Sequence, residues 1–196
     1  MKALIIVDVQ NDFLAGGALE VPQGDEIIDL INKIQTNYAV VVATQDWHPA
    51  DHKSFASMHP QHNLFDTIEW NGHPQMLWPN HCVQGTLGAE MSSRLNSNPI
   101  EAIFRKGMNK EIDSYSGFFD NHKLRNTGMH GYLQDKGVTE VHICGLAADY
   151  CVFFTAMDAL DLGYKTMVLS KATKAIDKDA YRSKKEIYLQ KGGLFI

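Results

Sequence analysis

The residues of this chain with chemical reach stand at recurring places, each just beyond an apolar run. Cys151 opens the stretch Cys151-Val-Phe-Phe-Thr-Ala-Met-Asp-Ala-Leu-Asp-Leu-Gly163, whose apolar residues at 152, 153, 156, 157 and 160 repeat at helical spacing. A cysteine in the first turn of a helix faces unpaired N–H groups and the positive end of the macrodipole, and both favour the nucleophilic thiolate. The plainer role is packing, since unreactive buried cysteine is the commoner case; the rest of the chain raises Cys151 above it. Asp8 ends the apolar run Ala3-Leu-Ile-Ile-Val7. A carboxylate there follows a strand buried on both faces, and it needs a cationic or hydrogen-bonding partner or a chemical task. Lys106 ends a third run, where an ammonium beside a central aspartate neutralises that group while keeping it ionised. Arg105 competes for the place, but alternation sends the two side chains to opposite faces. Asp46 and His48, two apart beyond another strand, can turn toward one point, and carboxylate with imidazole is a ligand set for a divalent transition metal. Such a pair is by itself a common coincidence. Spacing leaves the third ligand open among His52, His59, His62, His73 and His81.

These residues require strands to carry them. Apolar, β-branched runs predict strands over 2–7, 39–44, 102–107, 138–144, 165–169 and 194–196, and helical spacing predicts helices over 24–37 and 178–190, about 129–135 and from Cys151 to Gly163. A short helix is expected over 87–95. Residues 53–86 read as a long site-wall loop, rich in His, Pro and Trp. Trp47 and Trp78 offer flat surfaces for an aromatic ligand, or simply cover the loop. Asp12 reads as a turn former, His142 and Cys144 as core, and His122 and His130 as surface residues; Cys82 is a weaker candidate soft ligand. Strands alternating with helices imply an α/β fold, a doubly wound, mostly parallel six-stranded sheet with helices on both faces. Asp8, Asp46, Lys106 and Cys151 then share the C-terminal edge, where ligands bind in open α/β sheets.

The totals set bounds on these readings. A chain of 196 residues suits one domain, 1–196, and no linker or repeat divides it. A net charge of −5 provides no basic field for nucleic acid, and no segment approaches the roughly 20 apolar residues of a membrane span. The N-terminal run reaches a carboxylate too soon for a signal peptide, and three cysteines without framework spacing suggest reduced thiols, so a cytoplasmic location is expected. A homo-oligomer is compatible with this sequence, which carries no signal of its order.

Six segments together resemble the isochorismatase-like hydrolase superfamily, and within it the nicotinamidases (pyrazinamidases): Ile6-Val-Asp-Val-Gln-Asn-Asp-Phe13, Thr44-Gln-Asp-Trp-His-Pro49, Trp78-Pro-Asn-His-Cys-Val-Gln-Gly85, Phe104-Arg-Lys-Gly107, Asp113-Ser-Tyr-Ser-Gly-Phe118 and Gly145-Leu-Ala-Ala-Asp-Tyr-Cys-Val152. The resemblance runs essentially end to end and implies a Rossmann-like three-layer fold. It implies a catalytic triad of Asp8, Lys106 and Cys151, and an oxyanion hole from the N–H groups of Ala147 and Cys151, helped by a cis peptide at Leu146-Ala147. It implies aromatic walls from Phe13, Trp78 and Tyr115. It selects His81 as the third ligand of one divalent metal ion, Zn²⁺ first with Fe²⁺ or Mn²⁺ as alternatives, and offers His52 as a further candidate. The implied reaction is hydrolysis of nicotinamide, in NAD salvage, through a Cys151 thioester, with pyrazinamide as a second substrate. The Asp-x-His arm is the reason for this branch over plain isochorismatases and carbamoyl-amide hydrolases. The rival expectations are another small-amide or vinyl-ether hydrolase of the same fold, and a non-catalytic binding module with an inert Cys151.

Overall fold

A computed structural model describes all 196 residues. The strands in chain order are β1 (Lys2–Val7), β2 (Val40–Asp46), β3 (Thr67–Trp70), β4 (His73–Met76), β5 (Ala102–Lys106), β6 (Glu140–Gly145), β7 (Lys165–Thr173) and β8 (Leu194–Phe195). The α-helices are α1 (Ile28–Ile34), α2 (Met129–Asp135), α3 (Cys151–Asp161) and α4 (Lys178–Gln190). Six strands form one sheet in the order β5-β2-β1-β6-β7-β8, every neighbouring pair parallel. No helix is long and apolar enough to cross a membrane.

The two-residue period of a strand divides the core into two layers. On β1, Leu4 and Ile6 pack with Ile28 and Ile31 of α1, whereas Ala3, Ile5 and Val7 face α2, α3 and Tyr188 of α4. Each fully buried aliphatic side chain contributes about 1.5–3 kcal/mol to that packing. The connection from β1 therefore leaves on one face and the connection from β6 on the other, although β1 and β6 are neighbours. Between two such strands a crevice opens at the C-terminal edge. Gly145, at the end of β6, has φ +108°, and a Cβ there would lie 2.0 Å from the Val7 carbonyl oxygen. Only glycine lets the two central strands close up at the point where the crevice begins.

Several sequence expectations change in detail. The helix expected over 24–37 is a 3-10 turn (Gly24–Ile27), then α1, then a second 3-10 turn (Gln35–Asn37). Ile27, Ile28, Ile31 and Ile34 are β-branched and stiff in a helix, and tighter turns are frequent at helix ends. Over 87–95 only Leu87–Ala89 is helical, as a 3-10 turn. Beyond it Met91 bridges Gln10, and the Ser92 N–H donates to the Val9 carbonyl at 2.9 Å, so this backbone is committed to the loop after β1. The 53–86 loop contains the β3–β4 hairpin, closed by Asn71-Gly72 with φ of 52° and 81°. Asn-Gly is the standard signal for that turn and was readable in the sequence.

Candidate active site

Lys106 is the centre of the site. Its strand ends at the crevice, its side chain is fully buried, and its Nζ lies 2.9 Å from Asp8 Oδ2 and 2.7 Å from Asp46 Oδ1. Nζ also donates to the Ser114 carbonyl at 2.9 Å and to Cys151 Sγ at 3.4 Å. The three ammonium hydrogens thus serve Asp46 Oδ1, the Ser114 carbonyl and Cys151 Sγ, and Asp8 Oδ2 is paired with Lys106 by charge without a hydrogen bond. Arg105, on the opposite face as alternation requires, stacks 4.0 Å from the Trp47 ring centroid. Trp47 is therefore spent on Arg105 and is no wall of the cleft. Asp8 sits at φ 48°, a left-handed conformation that aspartate adopts more readily than most residues. Its Oδ1 accepts a 2.6 Å hydrogen bond from Thr44 Oγ1.

Charge in this buried knot is decided by the balance of desolvation and pairing. Burial pushes the Asp8 carboxyl above the usual carboxylate range, against the pull of the Lys106 ammonium. Burial also pushes Asp46 upward, but Lys106 and His48 outweigh it and hold that group well below the usual range. Burial pulls Lys106 downward, yet Asp46 and Asp8 together hold its ammonium well above the ordinary lysine value. For Cys151, burial pushes the thiol well above its usual value; the Lys106 ammonium opposes this and Asp8 and Asp46 add to it. The helix start favours a thiolate, but burial keeps the resting group a thiol. Its Sγ lies within 4.8 Å of carboxylate oxygens of both Asp8 and Asp46.

The turn from Gly145 to Tyr150 and the first residue of α3 leave three backbone N–H groups without a backbone acceptor. The Leu146, Ala148, Tyr150 and Val152 N–H groups all donate to backbone carbonyls, whereas those of Ala147, Asp149 and Cys151 donate to none. The Leu146–Ala147 peptide is cis, as expected. Of these, the N–H groups of Ala147 and Cys151 belong to residues lining the crevice, the arrangement an oxyanion requires.

Asp46, His48 and His81 are all buried, with candidate ligand atoms within 4.8 Å of one another. His48 Nδ1 donates to the Gly107 carbonyl at 3.0 Å and His81 Nδ1 to the Pro79 carbonyl at 2.8 Å, since a carbonyl only accepts. Those bonds fix each proton on Nδ1 and leave both Nε2 lone pairs toward Asp46 Oδ2, at 3.4 and 3.8 Å. Nε2 of His48 is buried without a hydrogen-bond partner. An orphaned lone pair, a second imidazole and a carboxylate, each oriented by its outer hydrogen bond, fit a divalent transition metal. Gly107 makes the arrangement sterically feasible, because a Cβ there would lie 2.3 Å from the His48 ring. His52 differs: Nδ1 accepts the Ser54 N–H at 3.1 Å, so its proton is on Nε2, and its ring groups with His48 and Asp113 rather than with Asp46 and His81. The carboxylates of Asp8 and Asp46 beside Cys151 form a further acidic cluster, but Lys106 already occupies its centre as the cation.

Cys151, Asp46 and His81 border one cleft, which Phe13, Trp78 and Tyr115 also line. Trp78 Nε1 donates to Tyr115 Oη at 3.1 Å, which fixes the two rings edge to face. Leu19, Tyr150, Ile176 and Asp113 also line it and were not foreseen. Tyr150 had a signal, since it directly precedes Cys151; Leu19 and Ile176 lie in loops distant in sequence and had none. His59, His62 and His73 stand apart from the metal group. Cys82 is buried, its N–H bound by Asp12 Oδ2 at 2.7 Å, so Asp12 is the turn former and Cys82 no ligand. His142 is held in the core between Tyr38 and Glu140.

The family profile of the isochorismatase domain matches residues 2–193. The nicotinamidase of Escherichia coli K12 is 45% identical over 180 residues, covering 90% of this chain and 84% of that protein. The nicotinamidase of Acinetobacter baylyi is 48% identical over 175 residues, covering 89% and 82%. Among solved structures, an Acinetobacter baumannii nicotinamidase/pyrazinamidase has a TM-score of 0.97 at 43% identity, covering 100% of this chain and 95% of that one. The PnC1 of L. infantum in complex with nicotinate has a TM-score of 0.89 at 37% identity, covering 100% and 92%. The pyrazinamidase of Pyrococcus horikoshii in complex with zinc has a TM-score of 0.80 at 36% identity, covering 100% and 98%. On a profile that takes in nearly every residue and a sheet shared with these proteins throughout, the chain belongs to the isochorismatase family.

Proposed function

We propose that this chain is a metal-dependent amidohydrolase that converts nicotinamide to nicotinic acid and ammonia through a thioester on Cys151. It acts as one domain, accepts pyrazinamide as a ring analogue, and serves NAD salvage in the cytoplasm. The observation that carries the reading is that Cys151 Sγ, contacted by Lys106, and the ligand group Asp46–His48–His81 border the same small aromatic cleft. The relatives named for nicotinamidase activity, the nicotinate complex and the zinc complex support it.

The chemistry follows from what amide cleavage demands. Asp8 accepts the Sγ proton, which its raised affinity for protons favours, while the Lys106 ammonium steadies the resulting charges. Sγ bonds to the carboxamide carbon, and the N–H groups of Ala147 and Cys151 donate to the oxygen that becomes negative. The C–N bond breaks as Asp8 returns its proton to the departing nitrogen, releasing ammonia and leaving the thioester. Water then gives a proton to Asp8 and bonds to the acyl carbon; the C–S bond breaks, and Asp8 re-protonates the sulfur. Phe13, Trp78 and Tyr115 hold the ring by its faces and exclude water. When bound by Asp46, His48 and His81, a divalent metal supplies a Lewis-acid site for a ring nitrogen, a positioning role.

The test is ammonia release from nicotinamide by the purified protein, before and after chelation. Release that stops on chelation and returns with added Zn²⁺, Fe²⁺ or Mn²⁺ supports both halves of the site. Release that ignores chelation removes the metal from the reaction, and no release with metal present and Cys151 reduced overturns the substrate.

A further inference from the structure

We propose that Lys184, on α4, is a positioning residue for this reaction, clamping from outside the turn that carries the Cys151 N–H and the Tyr150 wall of the cleft. The inference rests on the function proposed above. Lys184 Nζ donates to the Asp149 carbonyl and lies 4.1 Å from the centroid of the Tyr150 ring and 5.3 Å from that of Phe154. Asp149 is fully buried, and no backbone N–H donates to its carbonyl. The Lys184 ammonium is thus the sole donor to a buried oxygen that would otherwise be unpaired. That oxygen belongs to the peptide leading into Tyr150, one residue before the free Cys151 N–H.

The same cation sits against the face of Tyr150, whose ring packs 4.8 Å from Trp78 and 5.4 Å from Tyr115. An ammonium over an aromatic face is attractive in its own right. The Asp149 side chain fixes the turn a second time, accepting from the N–H groups of Ile176 at 3.0 Å and Asp177 at 2.8 Å. Asp177 in turn caps α4 through the Asp179 and Ala180 N–H groups. The nucleophile's turn is therefore bound to both the start and the middle of α4, and the second attachment depends on one side chain. A small displacement of an oxyanion donor is costly in rate, while the ring still enters the cleft.

Lys184→Met keeps the length of the side chain and removes the ammonium. The expected result is a fall in kcat of roughly three- to tenfold, with KM and metal content little changed. Hydrogen exchange of residues 146–151 should quicken while exchange in β1 and β2 stays as in the wild type. Lys184→Arg, which retains a cationic donor, should restore most of the rate; if the Met variant does not fold, Lys184→Gln, with one amide donor, takes its place. A kcat within twofold of wild type overturns the proposal, as does a loss that falls equally on KM, metal content and exchange throughout the sheet. A wild-type protein that releases no ammonia from nicotinamide defeats the substrate assignment instead, and exchange over 146–151 then decides the clamp by itself.

Discussion

The two halves of the candidate site are built differently. Asp8, Lys106 and Cys151 stand at the ends of β1 and β5 and at the start of α3, so each is placed directly by the sheet or by the turn that leaves it. In the other half only Asp46 is on a strand, while His48 and His81 come from the excursion between β2 and β5 and are oriented by carbonyls of Gly107 and Pro79. Lys106 joins the halves, since it pairs with Asp8 on one side and Asp46 on the other. The sheet provides a dry knot in which the Lys106 ammonium is paired with buried carboxylates beside a thiol; the loops provide lone pairs whose direction depends on outer hydrogen bonds. Chemistry at the first and positioning at the second is the division this contrast suggests.

The sharpest separation of the halves is Cys151→Ala. On the proposed mechanism turnover falls by at least about 10⁴-fold, as loss of a nucleophile does elsewhere. Metal content, read by elemental analysis, should stay at the wild-type stoichiometry, because Cys151 is not among the atoms grouped at Asp46, His48 and His81.

Lys106→Met should break both halves at once. It leaves two buried carboxylates without their cation, a change worth about 3–5 kcal/mol of stability by chemical denaturation. It should also abolish turnover, so activity and stability fall together, in contrast to Cys151→Ala.

The loop half has its own pH signature. Burial, reinforced by repulsion from His48, lowers the His52 pKa to about 4. Its unfolded value is about 6.5, so between these two values the unfolded chain binds a proton that the folded chain refuses. Stability of the chelated protein should therefore fall as pH drops through that window, by up to about 3 kcal/mol, with no contribution above about pH 6.5. His52→Gln should remove this part of the slope in a denaturation series. A wild-type slope that survives the substitution would show that His52 is not the titrating group.

The smallest effect belongs to Arg105, the neighbour of Lys106 that faces away. Arg105→Ala loses an exposed stack on Trp47, worth about 0.5–1 kcal/mol, and should leave kcat unchanged. Equal effects at positions 105 and 106 would contradict the assignment of faces.

Legibility in the sequence follows the same division. Asp8 was readable because a buried parallel strand is a near-continuous apolar run and a charge that ends it is conspicuous, whereas Asp46 follows its run two residues on and Lys106 ends a half-exposed edge strand behind Arg105. Alternation put Lys106 and Arg105 on opposite faces, and the family resemblance decided which of them faces the site. In the loop half spacing offered His48 but not the third ligand, because five further histidines competed and the hydrogen bonds to Gly107 and Pro79 that orient His48 and His81 toward Asp46 are made only in the folded chain. Family resemblance, not periodicity, singled out His81. The charge state of Cys151 is only half visible for a related reason: the helix start that favours its thiolate can be read in sequence, whereas the burial that raises its pKa is a property of the packed site. The Asn71-Gly72 turn is the opposite case, a local signal that was present and unused.

The central claim is a covalent bond between Cys151 and the acyl group, and the most direct measurement is acid quench during steady turnover of nicotinamide, followed by peptide mapping by mass spectrometry. The account predicts a nicotinoyl group on the peptide containing Cys151, and diversion of product to the hydroxamate when hydroxylamine is added. Continued ammonia release with Cys151 unmodified, and no hydroxamate formed, would contradict it.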